Sequence, residues 1–209
     1  MTARRCASIA VATLATLLAA PPVAIAHVAI AHVALAHVAI GGGGLYSGLL
    51  HPLAVPEHVM ALIGLGLMIG QQERGRAALS AVFATGLVAG LAAIALAAGE
   101  SHANEALVAG AAITGGLVAL ARPVPPVVGW PLAAAIGSAI GLDSPPDAID
   151  LRDASAMLIG TLFGAIILVA LLVELVAWLQ RDWQRIGVRV AGSWTAAAGI
   201  LVLAARMTG

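Results

Sequence analysis

Two imidazoles, a carboxylate and two prolines occur within eight residues of an otherwise apolar stretch, which reads His51-Pro52-Leu53-Ala54-Val55-Pro56-Glu57-His58. Ionisable groups inside an apolar span are costly to bury, and they usually stand where an ion or a substrate passes. Imidazole with carboxylate suits divalent ions such as nickel, cobalt and zinc better than magnesium or cuprous ion. We therefore predict a metal site at His51, Glu57 and His58, against the ordinary alternative of histidines that only hydrogen-bond to neighbouring helices.

The spacing of these residues predicts an interruption of the helix that carries them. On a regular helix His51 and His58 would share a face but would lie about 10.5 Å apart along the axis, which is too far for one ion. Pro52 and Pro56 each lack an amide hydrogen and crowd the preceding turn. We expect local unwinding to bring both imidazoles and the Glu57 carboxylate towards one site, as irregular backbone does in transporters.

A five-residue repeat near the amino terminus supplies three more histidines, His27, His32 and His37, before the run Gly41 to Gly44. Five residues match neither the helical nor the extended period. Two interpretations remain open. The repeat is a short tandem duplication, or it is a flexible tether whose imidazoles collect metal at the membrane surface.

Three acidic residues are weaker candidates for metal binding. Glu174 lies inside a long apolar stretch, where it either lines a path or extends to the nearby membrane surface. Asp143 and Asp147 belong to an acidic segment that either attracts cations by its field or is simply solvated.

The composition indicates an integral membrane protein. Of 209 residues, 61% are hydrophobic and only 10% are charged, against about a quarter charged in soluble domains. The net charge is zero, which argues against nucleic-acid binding. The single cysteine excludes a disulfide framework. The sequence also has no lysine and hence no phosphate-binding loop for ATP, and it has no His-Glu-x-x-His motif. We expect no enzymatic activity.

Residues 1–26 have the pattern of a signal peptide, with Arg4 and Arg5 before an apolar run and Ala24-Ile25-Ala26 as a cleavage site. An uncleaved first membrane helix is the alternative. Cleavage would leave residues 27–44 as an external segment rich in histidine and glycine. Residues 45–209 would then form the membrane domain.

We predict an all-α membrane protein with a bundle of about six transmembrane helices, because the hydropathy from residue 45 onward resolves into six spans of roughly 20 residues. They lie near 46–70, 77–98, 104–121, 124–142, 155–179 and 188–205. Four glycine pairs at i and i+4 would let these helices approach closely; they are Gly66 and Gly70, Gly86 and Gly90, Gly137 and Gly141, and Gly160 and Gly164.

The arginines predict the orientation of these spans. With the mature amino terminus outside, the loops after spans one, three and five would be cytoplasmic. Those loops contain most of the arginines, which are Arg74, Arg76, Arg122, Arg181, Arg185 and Arg189. An excess of cytoplasmic arginine is what the positive-inside rule requires. We therefore expect a multi-pass membrane protein whose mature amino terminus lies on the external side.

The run Gly48-Leu49-Leu50-His51-Pro52 leading to Glu57-His58 resembles the signature of the HupE/UreJ family. Members are regarded as nickel or cobalt permeases that serve hydrogenase and urease maturation, and their first mature span reads His-Pro-x-x-Gly-x-Asp-His. In this sequence Glu57 replaces the aspartate and Val55 stands in place of the glycine. A mature chain that begins at a histidine, here His27, is also similar to the family.

One departure concerns the second histidine motif of the family, His-Gly-x-x-His-Gly, which stands at or after the fourth span. The corresponding region here, 138–147, contains no histidine and ends in a segment with Asp143 and Asp147. The departure is compatible with a divergent member that uses Asp143, Asp147 or the amino-terminal histidines instead, or with one that has lost transport.

The resemblance implies passive or secondary transport of Ni²⁺ or Co²⁺ across the bacterial inner membrane, with the mature amino terminus in the periplasm. The ions would be cargo, with no permanently bound cofactor. A non-transporting accessory protein of metalloenzyme maturation is the alternative. A haem-binding protein is a weaker one, because His51 and His58 on one helix cannot ligate both faces of a haem. The partners we expect are the lipid bilayer and the metal ion, and a homo-oligomer or contacts with maturation proteins are left open.

Overall fold

The structure, a computed structural model, describes residues 43–96, 103–146 and 150–208. These residues lie within one compact unit, Ala39–Gly209. The signal peptide, His27, His32, His37 and Asp147 fall outside the described residues, so the predictions made for them stay predictions.

The described residues form seven α-helices and no strand, which confirms the all-helical fold class. In chain order the helices are α1 Gly43–Ala54, α2 Pro56–Gly70, α3 Arg76–Leu96, α4 Ala103–Leu120, α5 Pro126–Leu142, α6 Leu151–Trp178 and α7 Asp182–Thr208. Five of them match predicted spans, although α6 and α7 extend several residues beyond the apolar stretches. The predicted first span, 46–70, is instead divided between α1 and α2.

The division falls at Val55, between the two prolines of the histidine stretch. Val55 adopts an extended conformation, with φ −95° and ψ 114°, and Pro56 occupies the first turn of α2. Proline is well tolerated there because the missing amide hydrogen would have no helical partner. The axes of the two helices differ by 72°. The interruption predicted from the prolines is therefore confirmed.

Close backbone contacts at glycines determine how the helices run past one another. A Cβ at Gly86 would overlap the carbonyl oxygen of Ala134, and one at Gly141 would lie 2.5 Å from the amide nitrogen of Leu91. Helices α3 and α5 therefore run in the same direction, held by two of the predicted glycine pairs. Helices α4 and α7 run in opposite directions, because Gly115 contacts Gly192 while the earlier residue Ala112 contacts the later residue Gly199.

Helix α6 accompanies both halves of the divided span. Gly48 of α1 packs on Met157, and Gly66 and Gly70 of α2 pack on Leu172 and Val176. The residue numbers increase in the same direction along both partners of these contacts. Helices α1 and α2 therefore both run parallel to α6, and α2 does not reverse the direction of α1. Gly160 and Gly164 of α6 contact the backbone of α1 in the same interface. All four predicted glycine pairs thus lie at close helix contacts, as expected.

With α1 and α2 counted as one segment, the described residues form six helical segments that run through the bundle in alternating directions. At one end, which we call the arginine end, lie the loops 71–75, 121–125 and 179–181, together with the arginines Arg74, Arg76, Arg122, Arg181, Arg185 and Arg189. The opposite end, which we call the histidine end, contains the α1–α2 break, the start of α4 and the ends of α5 and α7.

The apolar surface is distributed as expected for a membrane bundle. Helix α2 is central, with Leu62, Leu65 and Met68 fully buried. Large side chains on the outward face of α6 remain exposed, among them Phe163 and Leu171. Four helices are long and apolar enough to cross a membrane, and the bent pair α1–α2 makes up to five, while α5 is a shorter apolar helix of 17 residues. The chain is a multi-pass membrane protein.

Candidate metal centre

The break at Val55 places the two histidines of the signature side by side. His51 lies in the last turn of α1 and His58 in the first turn of α2. Their ring centroids are 5.3 Å apart, and the ring planes are inclined by 70°. An unbroken helix would separate the two residues by about 10.5 Å along its axis. The bend therefore brings the two imidazoles together, as the sequence predicts.

Asp143 contacts one of these histidines from a distant part of the chain. It is the residue directly after α5, at the carboxyl-terminal cap of that helix, and its Oδ2 lies 3.1 Å from Nε2 of His58. The imidazole is fully buried, whereas the Asp143 side chain is 22% exposed. An ionised Asp143 accepts a hydrogen bond only if the His58 proton is on Nε2, so this contact selects the tautomer.

The other ring nitrogen of His58 is then the chemically important atom. With the proton on Nε2, Nδ1 presents a lone pair. This nitrogen is buried and has no hydrogen-bond partner among the described residues. A buried acceptor without a partner is costly, and a metal ion would satisfy it. A carboxylate behind a ligating histidine is the common arrangement in metal sites, because it orients the ring and raises its basicity.

Glu57 does not join this group. Its Oε1 accepts a hydrogen bond from Nη2 of Arg206, at 2.9 Å. The other terminal nitrogen of Arg206, Nη1, donates to Oδ1 of Asn104 at 2.8 Å. One guanidinium thereby connects the starts of α2 and α4 to the last turn of α7. The sequence predicts that the Glu57 carboxylate lies with the imidazoles. In the structure this carboxylate is instead paired with Arg206.

The remaining sequence candidate among the described residues, Glu174, lies apart from the histidines. It is exposed on α6, in the turn before that helix ends at Trp178, and so belongs to the arginine end. Among the described residues no group of three or more His, Cys, Asp or Glu side chains has the arrangement needed to hold a metal ion. The structure thus brings together His51, His58 and Asp143 as a pair of imidazoles with a supporting carboxylate, and not as a finished cage.

Sequence reasoning missed the roles of Arg206 and Asn104. Neither residue belongs to a motif that the sequence alone singles out. The contact between Glu57 and Arg206 joins residues 149 positions apart. A weak signal was present, because an arginine close to the end of an apolar helix needs an anionic or polar partner.

The fold and this centre define a polytopic membrane protein with histidines at a break in its first pass. The family model described as HupE / UreJ protein matches residues 15–202, and the chain belongs to that family. The family is linked to nickel or cobalt transport or to urease and hydrogenase maturation. No match is found among curated proteins or among solved structures.

Asp143 lies in the part of the sequence that departs from the family pattern. The region 138–147, which lacks the second histidine motif expected of the family, is the region that supplies Asp143. In this chain its contribution to the centre is therefore a carboxylate on His58, 85 residues away along the sequence.

Proposed function

We propose that this protein is an inner-membrane permease that carries Ni²⁺ or Co²⁺ by passive or secondary transport. The observation that supports it most directly is the pair of imidazoles at the α1–α2 break, 5.3 Å apart, with Asp143 on the buried His58. Membership of a family linked to nickel or cobalt transport supports the choice of ions.

In the proposed mechanism the buried Nδ1 of His58 is the first ligand, and His51 is the second. Asp143 holds the His58 ring from behind. Two imidazoles do not complete the coordination of a divalent ion, so water, freed backbone carbonyls or Glu57 would provide the rest. A site with few protein ligands suits transport, because an ion has to leave as readily as it enters.

We also propose that the histidine end faces the periplasm and the arginine end the cytoplasm, with all six passes crossing the bilayer. Six arginines at one end satisfy the positive-inside rule. Three exposed tryptophans, Trp130, Trp178 and Trp183, lie at helix ends on that same side, as aromatic residues do at a membrane surface. His27, His32 and His37 would then capture ions outside, and Asp147 would add to the acidic field there.

The direct test is uptake of labelled nickel, with cobalt as competitor, by whole cells that express the protein. We expect the His51→Ala, His58→Ala double variant to reduce uptake to the background of cells without the protein. Thr85→Ala, an exposed substitution on α3, is the matched control and should keep full uptake. Unchanged uptake by a double variant that reaches the membrane in normal amounts would disprove the route through these histidines.

The accessory role in metalloenzyme maturation is a second candidate. It is favoured by the family's link to urease and hydrogenase maturation. In that case the purified protein would bind the ion at the histidines, yet liposomes containing it would take up no more nickel than empty liposomes. Under either function we expect no catalysis and no resident cofactor, so purified protein should be colourless before metal is added.

A further inference from the structure

An ion pair between Glu57 and Arg206 stands beside the proposed histidine site, and the proposed route gives Arg206 no role. Glu57 is the residue before His58, and it is 20% exposed, while Arg206 is 36% exposed. Neither side chain is buried deeply enough to be locked in place. A carboxylate beside two imidazoles is a natural ligand for a divalent ion, but here a guanidinium holds it.

The positions of the two residues in their helices favour this pairing. Glu57 lies in the first turn of α2, and Arg206 lies in the last turn of α7. An acid at a helix amino terminus and a base at a carboxyl terminus are each stabilised by the helix dipole. Asn104 anchors the guanidinium from a third helix, through the 2.8 Å contact. Arg206 is therefore held at Glu57 by more than the charge of Glu57 alone.

We propose that Arg206 lowers the metal affinity of the histidine pair by competing with the ion for Glu57. This inference rests on the proposed function. An ion at His51 and His58 gains the carboxylate only when Glu57 leaves Arg206, so part of the binding free energy is used to break a charge-assisted contact. Arg206 acts through Glu57 and does not contact the ion. The consequence is a site that binds weakly enough to release its cargo.

The test is calorimetric titration of the purified full-length protein with Ni²⁺. We expect Arg206→Gln to bind Ni²⁺ about tenfold more tightly than the unmodified protein, because one charge-assisted contact no longer has to be broken. Arg206→Lys keeps the charge and should stay close to the original affinity. Arg152→Gln removes an exposed arginine from the α6 start at the same end, and it controls for the general loss of positive charge.

A second set of variants tests whether the effect passes through Glu57. In the Arg206→Gln, Glu57→Gln double variant the gain should vanish, and the affinity should equal that of Glu57→Gln alone. Asn104→Ala loosens the anchor without changing any charge, so it should tighten binding by about threefold and remains informative if Arg206→Gln does not fold. A merely structural role of Arg206 would weaken binding and would not tighten it.

The outcomes separate this inference from the proposed function. Binding by the unmodified protein with no gain in Arg206→Gln, or a gain that persists without Glu57, or equal gains in Arg206→Gln and Arg152→Gln, would overturn the competition. If the unmodified protein binds no Ni²⁺ at any concentration and catalyses no uptake, the proposed function fails, and the competition fails with it.

Discussion

The two ends of the bundle use polar side chains in different ways. At the arginine end the side chains bind backbone atoms: Gln72 accepts from the Val124 amide at 3.0 Å and donates to the Met68 carbonyl at 2.9 Å, and Arg189 donates to the Ala119 carbonyl at 3.1 Å. At the histidine end hydroxyl groups such as that of Ser144 also donate to backbone carbonyls, but ionisable side chains bind one another, as in the pairs His58 with Asp143 and Glu57 with Arg206.

The difference indicates which end can change its contacts. A backbone carbonyl or amide cannot turn away without disturbing its helix, so contacts with it fix loops in position. Two ionisable side chains can separate and find other partners, including a metal ion. We therefore regard the arginine end as the part whose contacts are fixed and the histidine end as the part whose contacts can rearrange. Under the proposed function, the histidine end is also the end that binds the ion.

The largest effect that would test this comparison is expected at Asp143. Asp143→Ala removes the carboxylate that orients His58, and loss of such a supporting group commonly costs between about 10-fold and 100-fold in metal affinity. The measurement is calorimetric titration of the purified protein with Ni²⁺. Asp143→Glu should recover part of the affinity, and an unchanged affinity in Asp143→Ala would show that the contact with His58 does not serve binding.

At the arginine end the corresponding substitution should affect stability and leave affinity alone. Gln72 is 6% exposed, and Gln72→Ala leaves the Val124 amide without its acceptor. Such a loss costs about 1–3 kcal/mol in the free energy of unfolding. Denaturation in detergent measures this change, and a Ni²⁺ titration of the same sample measures the affinity. A weaker Ni²⁺ affinity in the folded variant would contradict the division between the two ends.

Pro56 allows the break itself to be tested without removing a ligand. Pro56→Ala restores an amide hydrogen at the α1–α2 junction and favours a continuous helix, which would move His51 away from His58. We expect Ni²⁺ affinity to fall about fivefold, equivalent to roughly 1 kcal/mol. Pro131→Ala, a proline inside α5, is the matched control. Equal effects of the two substitutions would mean that the bend is not what creates the site.

The smallest effect is expected at Arg189. Its contact with Ala119 is exposed, and most substitutions of exposed side chains change the free energy of unfolding by no more than about 0.5 kcal/mol. We expect Arg189→Gln to unfold at nearly the same temperature as the unmodified protein and to bind Ni²⁺ equally well. A large loss of stability would show that the arginine end depends on its charges and not only on Gln72.

Much of the fold was predictable because it depends on local signals. Stretches of apolar residues near 20 in length gave the helices, and the spacing of glycines gave their close contacts. The two prolines gave the break at Val55. The starts of α6 and α7 were less predictable. Both helices begin before their most apolar residues, with the extra turns Leu151 to Ala154 and Asp182 to Gly187, and hydropathy does not detect such an extension.

The contacts within the candidate metal centre could not be predicted in the same way. The sequence identified His51 and His58 as a pair and left Asp143 among the weaker candidates. That Asp143 meets His58, and that Arg206 takes Glu57, depends on which helix ends are neighbours. Such contacts join residues 85 and 149 positions apart, and no local pattern encodes them.

The shortness of α5 has a consequence for the energetics of the proposed transport. A helix of 17 residues is about 25 Å long, which is less than the roughly 30 Å of hydrocarbon in a bilayer. If its amino terminus is level with the membrane surface at the arginine end, then Asp143 and the His58 that it holds lie a few ångströms beneath the opposite surface. An ion bound there would already have crossed part of the transmembrane voltage. Its affinity would then increase as the cell interior becomes more negative.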